Sequence, residues 1–156
     1  MNESANENRR FEFVAIGYVE TTVPDDDIAR RRRELVSDIV LRSEYADGLH
    51  GIEAYSHLIV LFWMDRVVER KDLAGHPHAN PALPLTGVFA MRGRTRPNPL
   101  GLAVVELVAR HGNRLTVRRL DAFNGSPVID IKPYDHYDSY TDIRVPAWFA
   151  QRAQQI

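Results

Sequence analysis

Between Arg92 and Leu102 the chain reads Arg92-Gly93-Arg94-Thr95-Arg96-Pro97-Asn98-Pro99-Leu100-Gly101-Leu102, with three arginines at alternate positions and two prolines. Arginine's planar fork pairs with a carboxylate or phosphate through two parallel hydrogen bonds. Proline narrows the unfolded ensemble, so a loop that must hold one shape loses less entropy on folding. The pattern suits an anion site, and arginines that are simply solvated fit the composition equally well. A second stretch runs from Asp121 to Tyr134. Its Asn124-Gly125-Ser126-Pro127 is a tight-turn sequence. Backbone amides and carbonyls at such a turn can read an adenine edge or hold an amine. Beyond it, Asp130-Ile131-Lys132-Pro133-Tyr134 sets an acid, an amine and a phenol close together. In a strand Asp130 and Lys132 share one face and Ile131 takes the other. The plainer alternative is a rim ion pair, worth little.

The remaining polar groups point less sharply. His76-Pro77-His78 has the look of a metal pair but lacks a neighbouring carboxylate or third histidine, so it reads as a proline-rich loop with two exposed imidazoles and no metal. His57 sits in an apolar run and reads as a structural, hydrogen-bonded histidine. Arg30 to Arg33 most simply form a solvated helix face; a grip on a phosphate backbone is the sharper reading. No G-x-G-x-x-G, no G-x-x-x-x-G-K-[ST] and no G-x-S-x-G occurs, so the usual phosphate cradles and the nucleophile elbow are missing.

These groups must be positioned by a chain of 156 residues, a length that suits one domain. Hydrophobic residues make up 44% and charged ones 26%, which excludes disorder as the main state. The absence of cysteine removes disulfides, thiolate metal sites and cysteine nucleophiles at once, and fits a reducing compartment. With 20 basic and 21 acidic residues there is no general basic coat, although a local basic patch is allowed. The longest apolar run, Leu58 to Met64, falls far short of the roughly 18 residues of a membrane span. Residues 1–10 are polar and read as a flexible tail with no secretory signal, which makes the cytoplasm the expected location.

Strands are predicted over Phe13–Val19, Ser37–Leu41, Ser56–Trp63, Gly87–Ala90, Leu102–Val108, Leu115–Leu120 and Val128–Ile131. Ser56–Trp63, nearly all apolar, is expected to be buried on both faces. A short helix over Ile28–Leu35 begins behind Asp25, Asp26 and Asp27. Arg66–Leu73 reads as a helical turn, and Pro146 opens a helix to Ile156. About seven short strands with one or two short helices argue for a mainly β fold, a small closed or partly open β-barrel over residues 11–145 with a helical tail over 146–156.

At these residues the chain resembles the TsaA-like family, the TrmO tRNA methyltransferases. The likeness starts at Ile16-Gly17 and passes through Gly48-Leu49 and Ser56-His57-Leu58. It becomes specific at Gly87-Val88-Phe89-Ala90, Arg92 and Arg96-Pro97-Asn98-Pro99-Leu100-Gly101-Leu102. It closes with Asn124-Gly125-Ser126-Pro127-Val128 and Asp130-Ile131-Lys132-Pro133-Tyr134. The resemblance implies a small β-barrel that binds S-adenosylmethionine without a Rossmann sheet and works as a homodimer. It implies methylation of the exocyclic nitrogen of threonylcarbamoyl-adenosine beside the tRNA anticodon. By position it implies cofactor contacts at Arg92, Leu102, Met64, Asp65 and the turn Phe123, Asn124, Gly125 and Ser126. The family's early Pro-x-Gln is replaced here by Asp25-Asp26-Asp27-Ile28-Ala29-Arg30-Arg31-Arg32-Arg33, and Arg31 is carried over in its place. Asn124-Gly125-Ser126 stands where Asp-Gly-Thr is common, and Met91 where Thr or Ser is common.

Chemistry adds roles to that set. A sulfonium suits a carboxylate or an aromatic face, which makes Asp65 and Phe89 candidates. Arg92 suits a methionyl carboxylate. A urea-like nitrogen is a poor nucleophile, so a base helps, and Asp130 is the candidate. Lys132, Tyr134, Arg96 and Asn98 are expected to orient the acceptor. The single-stranded anticodon loop can be splayed and stacked on aromatics, and Arg30 to Arg33 would add phosphate contacts. A barrel that binds a nucleotide or RNA without catalysis is the alternative, as is transfer to another amine.

Overall fold

The computed structural model describes residues 9–67 and 72–153. Most of the expected N-terminal tail, part of the expected helical turn over Arg66–Leu73 and the end of the helix expected to run to Ile156 lie outside them. Within the described residues the elements are β1 (Gly17–Glu20), α1 (Asp25–Arg31), β2 (Val36–Leu41), β3 (His57–Trp63), β4 (Ala74–Gly75), β5 (Thr86–Gly87), β6 (Leu100–His111), β7 (Arg114–Arg118), β8 (Pro127–Pro133) and α2 (Ala147–Ala153), with short 3₁₀ turns between some of them. Six strands close a barrel in the order β1-β2-β7-β6-β3-β8, and β4 and β5 form a separate two-stranded arm.

Alternation along the strands builds the core. Leu58, Val60 and Phe62 of β3, Ala103 and Val105 of β6, Leu115 and Val117 of β7, Ile39 and Leu41 of β2, Val19 of β1 and Val128 of β8 point inward and pack together. The residues between them, such as Ile59, Leu61 and Trp63, are half-buried on the outside. That corrects the expectation for Ser56–Trp63: in a single-walled barrel only one face meets a core.

Polar pairs knit the outer wall. Arg114 of β7 bridges Glu20 of β1 and Asp38 of β2, and the second Asp38 oxygen accepts from the Thr116 hydroxyl at 2.7 Å. Arg118 pairs with Glu106 across β7 and β6 at 2.6 Å. Arg110 donates to the Leu49 carbonyl and to Glu53, each at 3.0 Å, and so ties the 3₁₀ segments after β2 to the barrel. The seam that closes the barrel is narrow: β1 meets β8 at Gly17↔Val128 and Tyr18↔Pro127.

Three predicted elements shift. The first strand starts at Gly17, not Phe13, because Phe11, Phe13 and Val14 lie 73, 59 and 60% exposed ahead of the β1–β2 ladder. Gly87–Ala90 is not a strand. Only Thr86–Gly87 pairs, with Ala74–Gly75, and Val88–Ala90 coils into a 3₁₀ turn. The helix begins at Asp25 and ends at Arg31, so its acidic first turn and basic last turn both match the helix dipole. The Arg31 carbonyl then accepts from Glu34 and Leu35, a turn that delivers Leu35 to the interior.

Candidate functional site

The two sequence stretches meet around β3. β6 flanks it on one side and β8 on the other, and the register sets Leu61 opposite both Leu102 and Asp130. Leu102 is half-exposed, and Asp130 is partly exposed. All three side chains therefore lie on the outer face, and two strand spacings put Leu102 and Asp130 about 10 Å apart. Two residues further on, Lys132 lies opposite Ile59 on that same face. Its Nζ is 2.7 Å from Asp130 Oδ2, and Asp130 Oδ1 accepts from the Ile131 amide at 2.9 Å. The predicted shared face of Asp130 and Lys132 is therefore observed. Tyr134 continues the line, with its amide donating to the His57 carbonyl and its ring edge-on to the His57 imidazole at 6.3 Å.

The turn before β8 is fixed from several sides. Gly125 takes φ +83, which a side chain at this position would resist, and its amide donates to the Val19 carbonyl at 2.7 Å. The Ser126 amide closes the turn onto the Phe123 carbonyl at 3.1 Å, and the Thr21 amide donates to Asn124 Oδ1 at 3.0 Å. Arg66, two residues after Met64, donates through Nη1 to Asp25 Oδ2 at 2.5 Å and through Nη2 to the Asn124 carbonyl at 2.6 Å. Its guanidinium carbon lies 5.6 Å from the Phe123 ring centroid, and that of Arg94 lies 5.7 Å from the same centroid. The arginine loop and the tight turn thus converge on Phe123.

The loop itself is held largely by its own arginine. Arg96 Nη1 donates to the Met91 and Gly93 carbonyls at 2.8 and 3.2 Å, so part of its guanidinium shapes the loop. Arg92, exposed, donates to the Leu102 carbonyl at 3.2 Å. The Pro99 carbonyl accepts from Met64 at 2.8 Å, which docks the loop beside Met64 and Asp65. The Asn98 carbonyl accepts from Leu100 at 2.7 Å, and the residue itself is exposed. Phe89, 78% exposed, stands on the 3₁₀ turn before the loop. Arg31 is exposed at the opposite end of α1 from Asp25, about 9 Å along the helix from the Arg66 contact. The contacts that join the loop to the turn do not include it.

The groups gathered here are an exposed guanidinium, an exposed carboxylate at Asp65, an apolar side chain in water at Leu102 and the backbone of a fixed turn. That donor set fits a nucleoside bearing both a carboxylate and a positive centre. Arg66 and Asp25 went unread in the sequence as site residues because Arg66 finds its partners 41 and 58 positions away. Among the described residues no three or more His, Cys, Asp or Glu side chains gather as a metal site, and no helix is long and apolar enough to cross a membrane.

A closed six-stranded barrel with the arginine loop docked against the glycine turn defines the molecule. Residues 20–139 match the model of the tRNA-methyltransferase O N-terminal domain, and the chain belongs to that family. An S-adenosyl-L-methionine-binding protein of Archaeoglobus fulgidus is 49% identical over 111 residues, covering 70% of this chain and 78% of the relative. The tRNA (adenine(37)-N6)-methyltransferase of Escherichia coli is 33% identical over 138 residues, covering 80% of this chain and 57% of that enzyme. The crystal structure of TrmO from Pseudomonas aeruginosa superposes with a TM-score of 0.71 at 29% identity, over 87% of this chain and 61% of that one. The chain thus spans less than two thirds of the length of these two methyltransferase relatives.

Proposed function

We propose that this chain is an S-adenosylmethionine-dependent tRNA methyltransferase whose acceptor is the exocyclic nitrogen of threonylcarbamoyl-adenosine beside the anticodon. The observation that carries it is the convergence of the arginine loop and the Phe123–Ser126 turn, in a chain whose relatives are named for the same cofactor and for adenine-37 methylation. The residues present fit the donor. Arg92 would pair with the methionyl carboxylate, and Leu102 with the turn backbone would frame adenine. Asp65 and Phe89 would face the positive sulfur, alongside Met64. S-adenosylmethionine supplies an electrophilic methyl group on a sulfonium.

The chain's own work is alignment and proton handling. Alignment alone supplies roughly 7–11 kcal/mol in well-oriented reactions. Asp130 would accept the proton that the acceptor nitrogen sheds. Lys132, 2.7 Å away, keeps that carboxylate in place. Tyr134, Arg96 and Asn98 would orient the acceptor's carbamoyl and carboxylate groups. Arg30 to Arg33, exposed at and beyond the end of α1, would meet tRNA phosphates. A homodimer in the cytoplasm belongs to the same reading. The dimer draws support from the exposed apolar side chains of Val104 and Val108 on β6.

Relatives named only for S-adenosylmethionine binding favour a second reading, a binding module without transfer. Incubation with methyl-labelled S-adenosylmethionine and total tRNA separates the two. Label in a modified adenosine at position 37 supports the enzyme. Saturable binding without label in RNA supports the module, and no binding overturns both.

A further inference from the structure

Arg66 joins the start of α1 to the Phe123–Ser126 turn through two hydrogen bonds and a contact with the Phe123 ring, yet the donor-binding scheme gives it no role. We propose that Arg66, held by Asp25, is a positioning residue for the methyl donor. It fixes the Phe123–Ser126 turn and the Met64-Asp65 dipeptide in one arrangement before the donor arrives. The inference rests on reading those residues as the donor's site.

The geometry is specific. The peptide plane between Asn124 and Gly125 has two ends. Its amide donates to the Val19 carbonyl at 2.7 Å, and its carbonyl accepts from Arg66 Nη2 at 2.6 Å. With both ends bonded the plane cannot rotate. A turn offering backbone groups to an adenine edge then presents them in one direction. Without Arg66 the carbonyl end is released, and Gly125, at φ +83, has more freedom than any other residue type to let the plane swing.

The second guanidinium nitrogen fixes the other side. Arg66 Nη1 holds Asp25 Oδ2 at 2.5 Å, so the fork is clamped between the start of α1 and the turn. Because Arg66 follows Met64 and Asp65 directly, clamping its head also limits where that dipeptide sits. Charge matters too. A lone arginine would oppose a sulfonium, and the Asp25 carboxylate offsets it. Both side chains are about half-exposed, at 48 and 43%, so the pair contributes little to global stability and its consequence is local geometry. Lysine cannot replace the fork, since an ammonium is a single point without a plane.

The test compares wild type, Arg66→Ala, Arg66→Lys and Asp25→Asn by calorimetric titration with S-adenosylmethionine and by steady-state methyl transfer to tRNA. Arg66→Ala should bind the donor about tenfold more weakly, the scale on which a hydrogen bond from a charged donor matters. Its KM for the donor should rise by the same factor, while KM for tRNA stays put. Arg66→Lys should fall between it and wild type, and Asp25→Asn should weaken binding severalfold. Arg66→Ala that binds like wild type overturns the inference. So does a loss of kcat with an unchanged donor KM, which is what a merely structural lesion produces. If Arg66→Ala does not fold, Asp25→Asn decides: wild-type affinity there overturns the proposal, and weakened affinity with an unmoved tRNA KM supports it. Failure of the wild type to bind S-adenosylmethionine is a separate result, and it overturns the donor reading itself.

Discussion

Gly101, between the proline loop and Leu102, is predicted to be irreplaceable for a packing reason. In the ladder it lies opposite Phe62, a core residue only 5% exposed. A Cβ built on Gly101 would come within 2.6 Å of Phe62 Cε1 and closer still to Cζ and Cε2. The ring lies over the bare Cα, so Gly101→Ala must push Phe62 off its place or bend β6. Overpacking of this kind costs about 1–3 kcal/mol. At roughly 2–4 °C per kcal/mol for a chain of this size, the melting temperature should fall by about 2–12 °C. The control is Gly93→Ala in the same loop, where an added Cβ meets nothing within 4 Å and the change should stay within about 0.5 kcal/mol. Thermal unfolding followed by circular dichroism reads both. Pairing Gly101→Ala with Phe62→Leu should relieve the clash, so the double variant should lose less than the two singles together, with a coupling of about 0.5–3 kcal/mol. Equal melting of Gly101→Ala and wild type, or strict additivity in the cycle, refutes the packing argument.

Other outcomes follow from single interactions. Ser37 Oγ is buried without a hydrogen-bond partner among the described residues, so Ser37→Ala should be neutral or stabilising in denaturant titration. Glu53's carboxyl is held below its ordinary value of 4.5, first by a backbone hydrogen bond and then by Arg110, against some desolvation. A depressed carboxylate stabilises above its unfolded value and loses that contribution as pH falls through the folded one. Glu53→Gln should therefore flatten the decline of stability below about pH 4.5, seen by melting across pH. Asp130→Asn should lower kcat by about 10²–10⁴-fold with donor affinity retained, measured by label transfer. Arg31→Gln with Arg32→Gln should lower the salt slope of tRNA binding by about 0.7 for each phosphate that is no longer neutralised.

The sequence made the barrel strands legible where burial enforces alternation. Leu58, Val60 and Phe62 fix β3, and Leu115 and Val117 fix β7, within a residue or two of their predicted bounds. At the β6–β7 turn Gly112 takes a positive φ, and the Asn113 side chain donates to the Leu41 carbonyl at the end of β2. Local composition misled where pairing decides. Phe13 and Val14 are good strand formers with no strand paired to them among the described residues, and Val88-Phe89-Ala90 is apolar yet leaves Phe89 in water. In the site, the loop and the turn were visible as motifs, and so was the Asp130–Lys132 pair, because strand alternation is a local rule. Arg66 with Asp25, and the meeting of Arg66 and Arg94 at Phe123, depend on tertiary closure and leave no local mark.

The most direct measurement is a crystal structure of the protein grown with S-adenosylmethionine. The nucleoside should sit between the Arg92–Leu102 loop and the Phe123–Ser126 turn, with its carboxylate on Arg92 and adenine beside Leu102. A donor bound elsewhere, or one touching only one of those two segments, would contradict the account.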